Sequence, residues 1–221
     1  MKYETEFRPK PLIEIGDQPI LWHIMKIYAH HGFNEFILTL GYKGEMIKEY
    51  IGANAQGAFD VQAIDTGTES LTGERIKMIQ PYIDGDEFML TYGDGLADID
   101  IPKIVAFHKS QGTIGTITGA NPYSKYGFLK IDHARNLVLD FHEKPLMRDS
   151  YVNSGFMVFN KKVFDYLDDE MLETNTLPRL AKSGELSVYR HQGFWKAMDT
   201  PKEIEELNQL WQTNQPWKIW N

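Results

Sequence analysis

The sequence predicts a protein of the α/β class, in which a mixed, mainly parallel sheet is flanked by helices. Short apolar runs alternate with amphipathic segments through residues 1–120, the pattern of strand–helix units around such a sheet. After position 121 the sequence pattern changes to predicted strands joined by short turns. A chain of 221 residues with 42% hydrophobic content is long enough to bury a substantial core.

The clearest predicted helix lies between Asp17 and Gly32. Asp17 suits an N-cap, Pro19 suits the first turn, and apolar residues repeat at helical spacing until Gly32. Strands are then predicted over EFILTL, positions 59–65, FMLTY and TIGTITGA, and helices over positions 44–51 and 101–111.

The second half of the chain is predicted to begin with three strands, YGFLKID, LVLDFHEK and YVNSGFMVFN. Helices return at positions 162–167, 177–182 and 201–213. Because no Pro-, Gly- or Ser-rich linker interrupts the chain, we expect one domain over residues 1–221. The apolar tail PWKIW is expected to dock onto the body of the protein or to form a subunit contact.

Composition excludes several classes of function. The net charge of -8 and a pI near 5.4 argue against binding to a nucleic-acid polymer. The chain has no cysteine, which excludes disulfides, thiolate zinc sites and thiol nucleophiles. No apolar run approaches the roughly 20 residues of a membrane span. The first residues, MKYETEFRPKP, do not resemble a signal peptide, so we expect a cytoplasmic protein without membrane partners.

Asp94 is the most conspicuous acidic residue, because it lies between two glycines directly after the predicted strand FMLTY. Ligands of open α/β sheets bind beyond the carboxyl ends of strands, and glycines let a ligand approach the backbone. Asp94 is therefore a candidate for binding Mg²⁺ held by a triphosphate. The alternative is an ordinary turn, in which Asp-Gly is common.

A partner for Asp94 is Asp199 in GFWKAMDTP, which also follows a strand-like run. Mg²⁺ in phosphoryl-transfer sites usually takes one or two carboxylates together with phosphate oxygens and water. The alternative for Asp199 is an N-cap of the helix that begins at Pro201. Asp100 reads best as the cap of the helix at 101–111.

Two short motifs could place cations against phosphates. Arg8 and Lys10 in RPKPL are held by prolines that restrict the backbone, although a solvated basic turn is the competing interpretation. HEKP places Glu143 and Lys144 at a strand end, where a lysine could neutralise a sugar phosphate and a carboxylate could accept hydrogen bonds from sugar hydroxyls. The competing interpretation is an exposed turn. The seven histidines show no metal-ligand spacing and receive no role.

Six motifs follow one another along the chain: RPKPLIEIGDQPILWHIM, DTGTESLTGERI, TYGDGLADID, FHEKP, VNSGFMVFN and GFWKAMDTP. Their order resembles the sugar-phosphate nucleotidyltransferases, and most closely the glucose-1-phosphate cytidylyltransferases, over nearly the whole chain. The resemblance implies a Rossmann-like fold, with a nucleotide-binding part at 1–120 and a sugar-phosphate-binding part with a C-terminal helix at 121–221. It also implies transfer of CMP from CTP to glucose 1-phosphate, which yields CDP-glucose and pyrophosphate, with Mg²⁺ as cofactor.

The resemblance further implies roles for individual residues. Lys10 and Arg8 would be the catalytic cations at the phosphates, and Asp94 and Asp199 would hold Mg²⁺. The residues implied to contact the nucleotide are Gly67, Thr72, Gly73 and Asp94. The residues implied to form the sugar-phosphate pocket are Tyr126, Gly127, Glu143, Lys144, Asn153 and Gly155.

The chain departs from the family at two places. The family opens with an apolar strand and a G-G-x-G-T-R loop that wraps the phosphates, whereas this chain passes from MK to YETEFRPKP. We therefore expect the central first strand and the phosphate loop to be missing. The segment between Tyr50 and Asp65 is also shorter than in the cytidylyltransferases, which leaves a homo-oligomer possible but unspecified. Three explanations stay open: omitted segments of an intact enzyme, a truncated inactive form, or a shortened relative used for binding or assembly.

Overall fold

The computed structural model describes residues 7–54 and 57–220, and their elements alternate as the sequence predicts. The strands, β1 to β12 in chain order, are Glu14–Ile15, Gln18–Pro19, Glu35–Leu40, Asp60–Asp65, Glu87–Thr91, Gly95–Ala97, Gly115–Ala120, Phe128–Asp132, Leu137–His142, Val152–Asn160, Leu186–His191 and Trp195–Ala197. The α-helices, α1 to α6, are Ile20–His30, Gly44–Asn54, Thr72–Met78, Ile101–Gln111, Leu177–Lys182 and Pro201–Thr213.

The main sheet has four strands in the order β11-β7-β10-β5. β11 runs parallel to β7, while β10 runs antiparallel to both β7 and β5. Three of the four strands therefore point the same way and one is reversed, which is the mixed sheet predicted. β10 and β11, which follow position 121, alternate in this order with β7 and β5, which precede it, so both parts of the chain share one sheet.

β3 and β4 form a separate parallel pair, and within the described residues no strand is hydrogen-bonded between β3 and β5. α1 covers this junction. Tyr28 on α1 places its ring 6.3 Å from Phe36 of β3 and 6.1 Å from Phe156 of β10. Among the described residues β3 pairs with β4 and β5 pairs with β10, so each of these strands has one edge without a ladder partner. The expected loss of the first strand stays a prediction.

The largest core cluster lies between α1, α4, α6 and the main sheet. Ile20, Ile24 and Ile27 of α1 are almost fully buried there. The C-terminal tail packs against the same cluster, since Trp217 is 0% exposed and Trp220 is 8% exposed. The prediction that PWKIW docks onto the body of the protein is confirmed.

Two local predictions need correction. α1 begins at Ile20 after Pro19, with no side-chain cap, because Asp17 lies in the turn of a small β1–β2 hairpin that precedes the helix. Positions 162–167 do not form an α-helix but a 3₁₀ turn, Lys161–Asp165, capped by the side chain of Asn160. No helix in the described part of the chain combines the length and apolar character that a membrane crossing needs.

Candidate active site

Lys10 lies between the two carboxylates that the sequence singled out. Its ammonium nitrogen is 2.5 Å from Asp94 Oδ2 and 2.7 Å from Asp199 Oδ1. Since both distances share the Nζ atom, the two carboxylate oxygens lie no more than 5.2 Å apart. Residues near the two ends and the middle of the chain therefore meet at one point.

Backbone pairing explains how the two aspartates come together. β12 runs antiparallel to β6, with Trp195 opposite Ala97 and Ala197 opposite Gly95. The N–H of Met198 donates to the carbonyl of Asp94 at 2.8 Å, which extends the same ladder by one step. Asp94 and Asp199 are thus neighbours because they flank two paired strands.

Lys10 is held at the first position of a 3₁₀ turn, Lys10–Leu12, between Pro9 and Pro11. Burial opposes its charged form, but hydrogen bonds to Asp199 and Asp94 outweigh burial and raise the pKa of Lys10 above its ordinary value. The lysine is therefore a fixed cation. A Cβ at Gly93 would lie 3.2 Å from the Pro11 ring, so glycine gives this loop room to approach the turn.

The carboxylate pair fits a divalent cation in its chemistry. Mg²⁺ prefers oxygen ligands and commonly takes one or two carboxylates, with phosphate oxygens and water completing its shell. The described residues contain no cluster of three or more His, Asp or Glu side chains suited to a metal, so Asp94 and Asp199 would need such additional ligands. Lys10 pairs with both carboxylates but offsets only one of their two negative charges, so the group keeps a net negative charge that favours a further cation.

Thr200, and not Asp199, caps helix α6. The Thr200 hydroxyl accepts from the N–H of Glu203, and the Glu203 carboxylate accepts from the N–H groups of Thr200 and Asp199, each at 2.8 Å. This is a capping box. The N-cap interpretation of Asp199 is therefore wrong, and its carboxylate is available to Lys10. Asp100 does cap α4, as predicted, by accepting from the N–H of Lys103.

Three of the four residues predicted to contact the nucleotide, all but Asp94, lie in the turn after β4 and at the start of α3. Gly67 has a φ of +85°, and its N–H donates to Asp65 Oδ1. The Gly73 N–H donates to the carbonyl of Glu170 at 2.9 Å. The Thr72 hydroxyl donates to Glu173 and accepts from the N–H of Leu172, each at 2.8 Å. Thr72 and Gly73 are therefore engaged by the chain itself.

A cleft of about 430 Å³ opens beside this turn, at the carboxyl ends of the parallel strands β3 and β4. Its lining includes Gly41, Gly44, Lys48, Asp65 and Thr68. Arg75 fastens one wall by donating to Thr66, to the carbonyl of Leu40 and to the carbonyl of Thr68. The sequence placed the ligand at Asp94, after β5, and the lining of this cleft includes none of Lys10, Asp94 and Asp199.

Two of the predicted sugar-phosphate residues, Asn153 and Gly155, lie beside Tyr92. The side-chain amide of Asn153 donates to the Tyr92 hydroxyl at 3.5 Å, and the N–H of Tyr92 donates to the carbonyl of Gly155. Gly155 has a φ of +89°, and a Cβ there would lie 2.9 Å from the Tyr92 ring. Since Tyr92 precedes Gly93 and Asp94, these residues lie next to the turn that carries Asp94.

The other four predicted sugar-phosphate residues lie at the base of the exposed β8–β9 hairpin. Tyr126 is 77% exposed, and the ammonium of Lys144 is 3.4 Å from Glu143 Oε1. A Cβ at Gly127 would lie 2.7 Å from the Phe141 ring and 3.1 Å from Glu143 Oε2. The contacts of these residues are with the hairpin, so their sugar-phosphate role stays a prediction.

Arg8 points to a different partner from Lys10. Its guanidinium pairs with Glu14 at 3.1 Å, and both side chains are largely exposed. Its predicted catalytic role therefore remains a prediction, without support from the contacts of the carboxylate pair.

Sequence reasoning missed two residues at this site, Tyr92 and Glu173. The Tyr92 hydroxyl donates to Glu173, which also accepts from Thr72. Tyr92 stands inside the motif TYGDG, so its position next to Asp94 was a usable signal. Glu173 had no local signal, because its contacts are with residues 81 and 101 positions away.

The chain is similar to known proteins over almost its whole length. The family model for nucleotidyl transferases matches residues 5–214. The chain is 42% identical to a probable glucose-1-phosphate cytidylyltransferase of Bacillus subtilis, over 100% of this chain and 95% of the relative. It is 39% identical to the glucose-1-phosphate cytidylyltransferase of Salmonella typhi, over 98% and 93%.

The fold is also similar to that of a solved structure. The crystal structure of HddC from Yersinia pseudotuberculosis has a TM-score of 0.72 at 25% identity, with 92% of this chain and 90% of that chain covered. A family match of this extent, together with two relatives near 40% identity over almost their full length, is decisive. The chain belongs to the nucleotidyl transferase family.

Proposed function

We propose that the protein transfers CMP from CTP to glucose 1-phosphate, forming CDP-glucose and releasing pyrophosphate. The observation that carries this proposal is the convergence of Lys10, Asp94 and Asp199 at one point. The names of the relatives near 40% identity support the choice of CTP and glucose 1-phosphate. In this proposal Asp94 and Asp199 hold Mg²⁺, which would neutralise charge on the triphosphate.

This transfer needs no covalent bond between the protein and the substrates. A phosphate oxygen of glucose 1-phosphate attacks the α-phosphorus of CTP, the bond from that phosphorus to the bridging oxygen breaks, and pyrophosphate leaves with the electron pair. Alignment and charge neutralisation dominate such transfers. Lys10 supplies a fixed positive charge beside the carboxylates, and Asn153 and Gly155, which lie beside Tyr92, would orient the sugar phosphate.

Pyrophosphate release from the protein with MgCl₂, glucose 1-phosphate and CTP, UTP, dTTP or GTP tests the proposal. We expect the highest kcat/KM with CTP. Asp94→Asn should lower it by about 100-fold or more, because a lost metal ligand removes several kcal/mol of charge stabilisation. Asp100→Asn is the matched control, since asparagine also caps helices and activity should stay within about twofold.

Two outcomes would reject parts of this proposal. A higher kcat/KM with another nucleotide would remove the assignment of CTP while keeping the transfer reaction. Activity of Asp94→Asn equal to that of Asp100→Asn would remove the metal role of Asp94.

A second candidate function is binding of a sugar nucleotide without turnover. The observation that favours it is the length of the alignment with the Bacillus relative, which spans 244 positions against 221 residues here, so at least 23 positions lack a residue in this chain. Calorimetric titration with CDP-glucose separates the two candidates. Binding without pyrophosphate release would favour this second function, whereas turnover would exclude it.

A further inference from the structure

Glu173 lies in a segment with unusual local structure. Leu172–Thr176 forms one π-helical turn that leads directly into α5. Single π turns are uncommon and occur frequently at functional sites. The turn is anchored by Leu172, which is 0% exposed, while the Glu173 side chain is half-buried.

The two carboxylate oxygens of Glu173 serve two different elements. Oε2 accepts from the hydroxyl of Thr72, the first residue of α3, at 2.8 Å. Oε1 accepts from the hydroxyl of Tyr92, which follows β5. One carboxylate thus ties a residue predicted to contact the nucleotide to the residue that leads into Gly93 and Asp94.

Each hydroxyl in this network has a second partner that fixes its direction. The Thr72 hydroxyl accepts from the N–H of Leu172 at 2.8 Å, so its own proton is directed to Glu173. The Tyr92 hydroxyl accepts from the amide of Asn153 at 3.5 Å, so it too donates to Glu173. The result is a chain of hydrogen bonds from Thr72 through Glu173 and Tyr92 to Asn153.

The Tyr92 side chain is held by packing as well as by its hydrogen bonds to Glu173 and Asn153. Close packing supports the same orientation, because Gly155 lies directly against the Tyr92 ring. The network therefore spans the region between the predicted nucleotide residues and the predicted sugar-phosphate residues, with Asp94 adjacent.

We propose that Glu173 is a positioning residue for the transfer reaction: it fixes Thr72 on the nucleotide side and Tyr92 on the sugar-phosphate side in one arrangement. The inference rests on the proposed function. Glu173 acts through these two hydroxyls, so its effect divides into two links. Tyr92→Phe cuts the link towards Asn153, and Thr72→Val cuts the link at the start of α3 together with the bond that Thr72 accepts from the N–H of Leu172.

Steady-state kinetics of three variants test this division. Charge-assisted hydrogen bonds contribute about 1.5–3 kcal/mol, which corresponds to roughly 10-fold or more in an equilibrium constant. We expect Tyr92→Phe to raise KM for glucose 1-phosphate by about 10-fold with KM for CTP unchanged. Thr72→Val should raise KM for CTP by about 10-fold with KM for glucose 1-phosphate unchanged. Glu173→Gln should raise both KM values.

Glu170→Gln is the matched control, since it makes the same chemical change three positions away, where the carboxylate accepts from Asn175. We expect both KM values to stay within about twofold of those of the parent protein. In addition, Tyr92→Phe introduced into Glu173→Gln should cause no further rise in KM for glucose 1-phosphate, because the shared bond is already lost.

The failure of this inference is distinct from the failure of the proposed function. If the parent protein turns over and Glu173→Gln changes only the thermal midpoint, with both KM values unchanged, Glu173 is structural and the inference is wrong. If the parent protein neither releases pyrophosphate nor binds CDP-glucose by calorimetry, the proposed function fails and the positioning role fails with it.

Discussion

Lys10 and Asp94 are 84 positions apart in the sequence, yet the ammonium of Lys10 lies 2.5 Å from the Asp94 carboxylate. Asp199 completes the group from the other end of the chain, 189 positions from Lys10. A cation between two carboxylates reduces their mutual repulsion in a partly buried place but leaves one negative charge unbalanced. The effect of MgCl₂ on the thermal midpoint should therefore depend on whether Lys10 is present.

Removing the lysine should make the protein more sensitive to Mg²⁺. In Lys10→Met the carboxylates of Asp94 and Asp199 lose their shared cation, so excess MgCl₂ should raise the thermal midpoint more than in the parent. We expect a difference of at least about 2 °C, which corresponds to roughly 1 kcal/mol in a domain of this size. Activity should fall by about 100-fold, as expected when a charge that stabilises the transition state is removed.

Differential scanning fluorimetry with and without MgCl₂ makes the comparison. The control is the double variant Lys10→Met with Asp94→Asn, whose midpoint should not respond to MgCl₂. Equal shifts in Lys10→Met and in the double variant would show that Mg²⁺ does not bind at this carboxylate pair.

Adjacent residues Asp199 and Thr200 should separate activity from stability. Thr200→Ala removes the α6 cap and should lower the free energy of unfolding by about 1 kcal/mol, with activity at 25 °C kept within about twofold. Asp199→Asn should leave that free energy within about 0.5 kcal/mol and abolish most activity. Urea denaturation and pyrophosphate release measure the two effects, and a loss of activity confined to Thr200→Ala would reverse the assignment.

Gly73 should be intolerant of a side chain. A Cβ there would lie 2.4 Å from the carbonyl oxygen of Glu170, and backbone cannot move away as a flexible side chain can. We expect Gly73→Ala to destabilise the protein by about 1–3 kcal/mol, as overpacking does. It should also raise both KM values, since the displaced segment carries Glu173.

Gly52 provides the opposite case within α2. A Cβ there meets no other atom within 4 Å, so Gly52→Ala should stabilise the protein by about 0.5–1 kcal/mol through helix propensity. The urea midpoints of Gly73→Ala and Gly52→Ala, each compared with that of the parent protein, measure the two effects. A Gly73→Ala protein as stable as the parent would contradict the close packing of α3 against residues 168–170.

The sequence predicted the regular elements well where the local signals were strong. The bounds predicted for the helices at 101–111 and 201–213 are those of α4 and α6, and EFILTL is β3. Asp94 and Asp199 were found because strand ends and turn glycines are local features. The identification of Thr200 as the cap was also within reach, since Thr200 and Glu203 have the T-x-x-E spacing of a capping box.

The remainder depended on contacts between distant parts of the chain. Glu173 sits in LETNT with no motif around it, and its function follows only from the approach of α3 and the end of β5. The same holds for Thr72 and Gly73, whose polar groups are engaged by residues about 100 positions away. Tertiary hydrogen bonds of this kind leave no periodic pattern in a sequence.

His23 should make the protein lose stability in acid. Its Nε2–H donates to the carbonyl of Ile15 at 2.8 Å, and Nδ1 accepts from the indole N–H of Trp217 at 3.4 Å, which fixes the neutral tautomer. Burial, which outweighs the hydrogen bond to Ile15 and the charge of Asp17, lowers the pKa of His23 below its ordinary value. Protonation would place a second donor against the indole N–H.

The sign of the effect follows from proton linkage. Because the folded-state pKa lies below the unfolded value near 6.5, the unfolded chain binds more protons, and stability falls as the pH drops below about 6.5. The slope from His23 reaches at most about 1.4 kcal/mol per pH unit. His23→Gln keeps one donor and one acceptor without titrating, so it should flatten the dependence of the free energy of unfolding on pH between about 6.5 and 5.

Urea denaturation at several pH values measures this slope. Part of it should survive in His23→Gln, because burial also lowers the pKa of His108. The matched control is His133→Gln, at an exposed position in the turn of the β8–β9 hairpin, which should leave the slope as it is in the parent protein. If His23→Gln shows the same slope as His133→Gln, the buried contact between His23 and Trp217 does not govern acid stability, and the acid-labile group lies elsewhere in the protein.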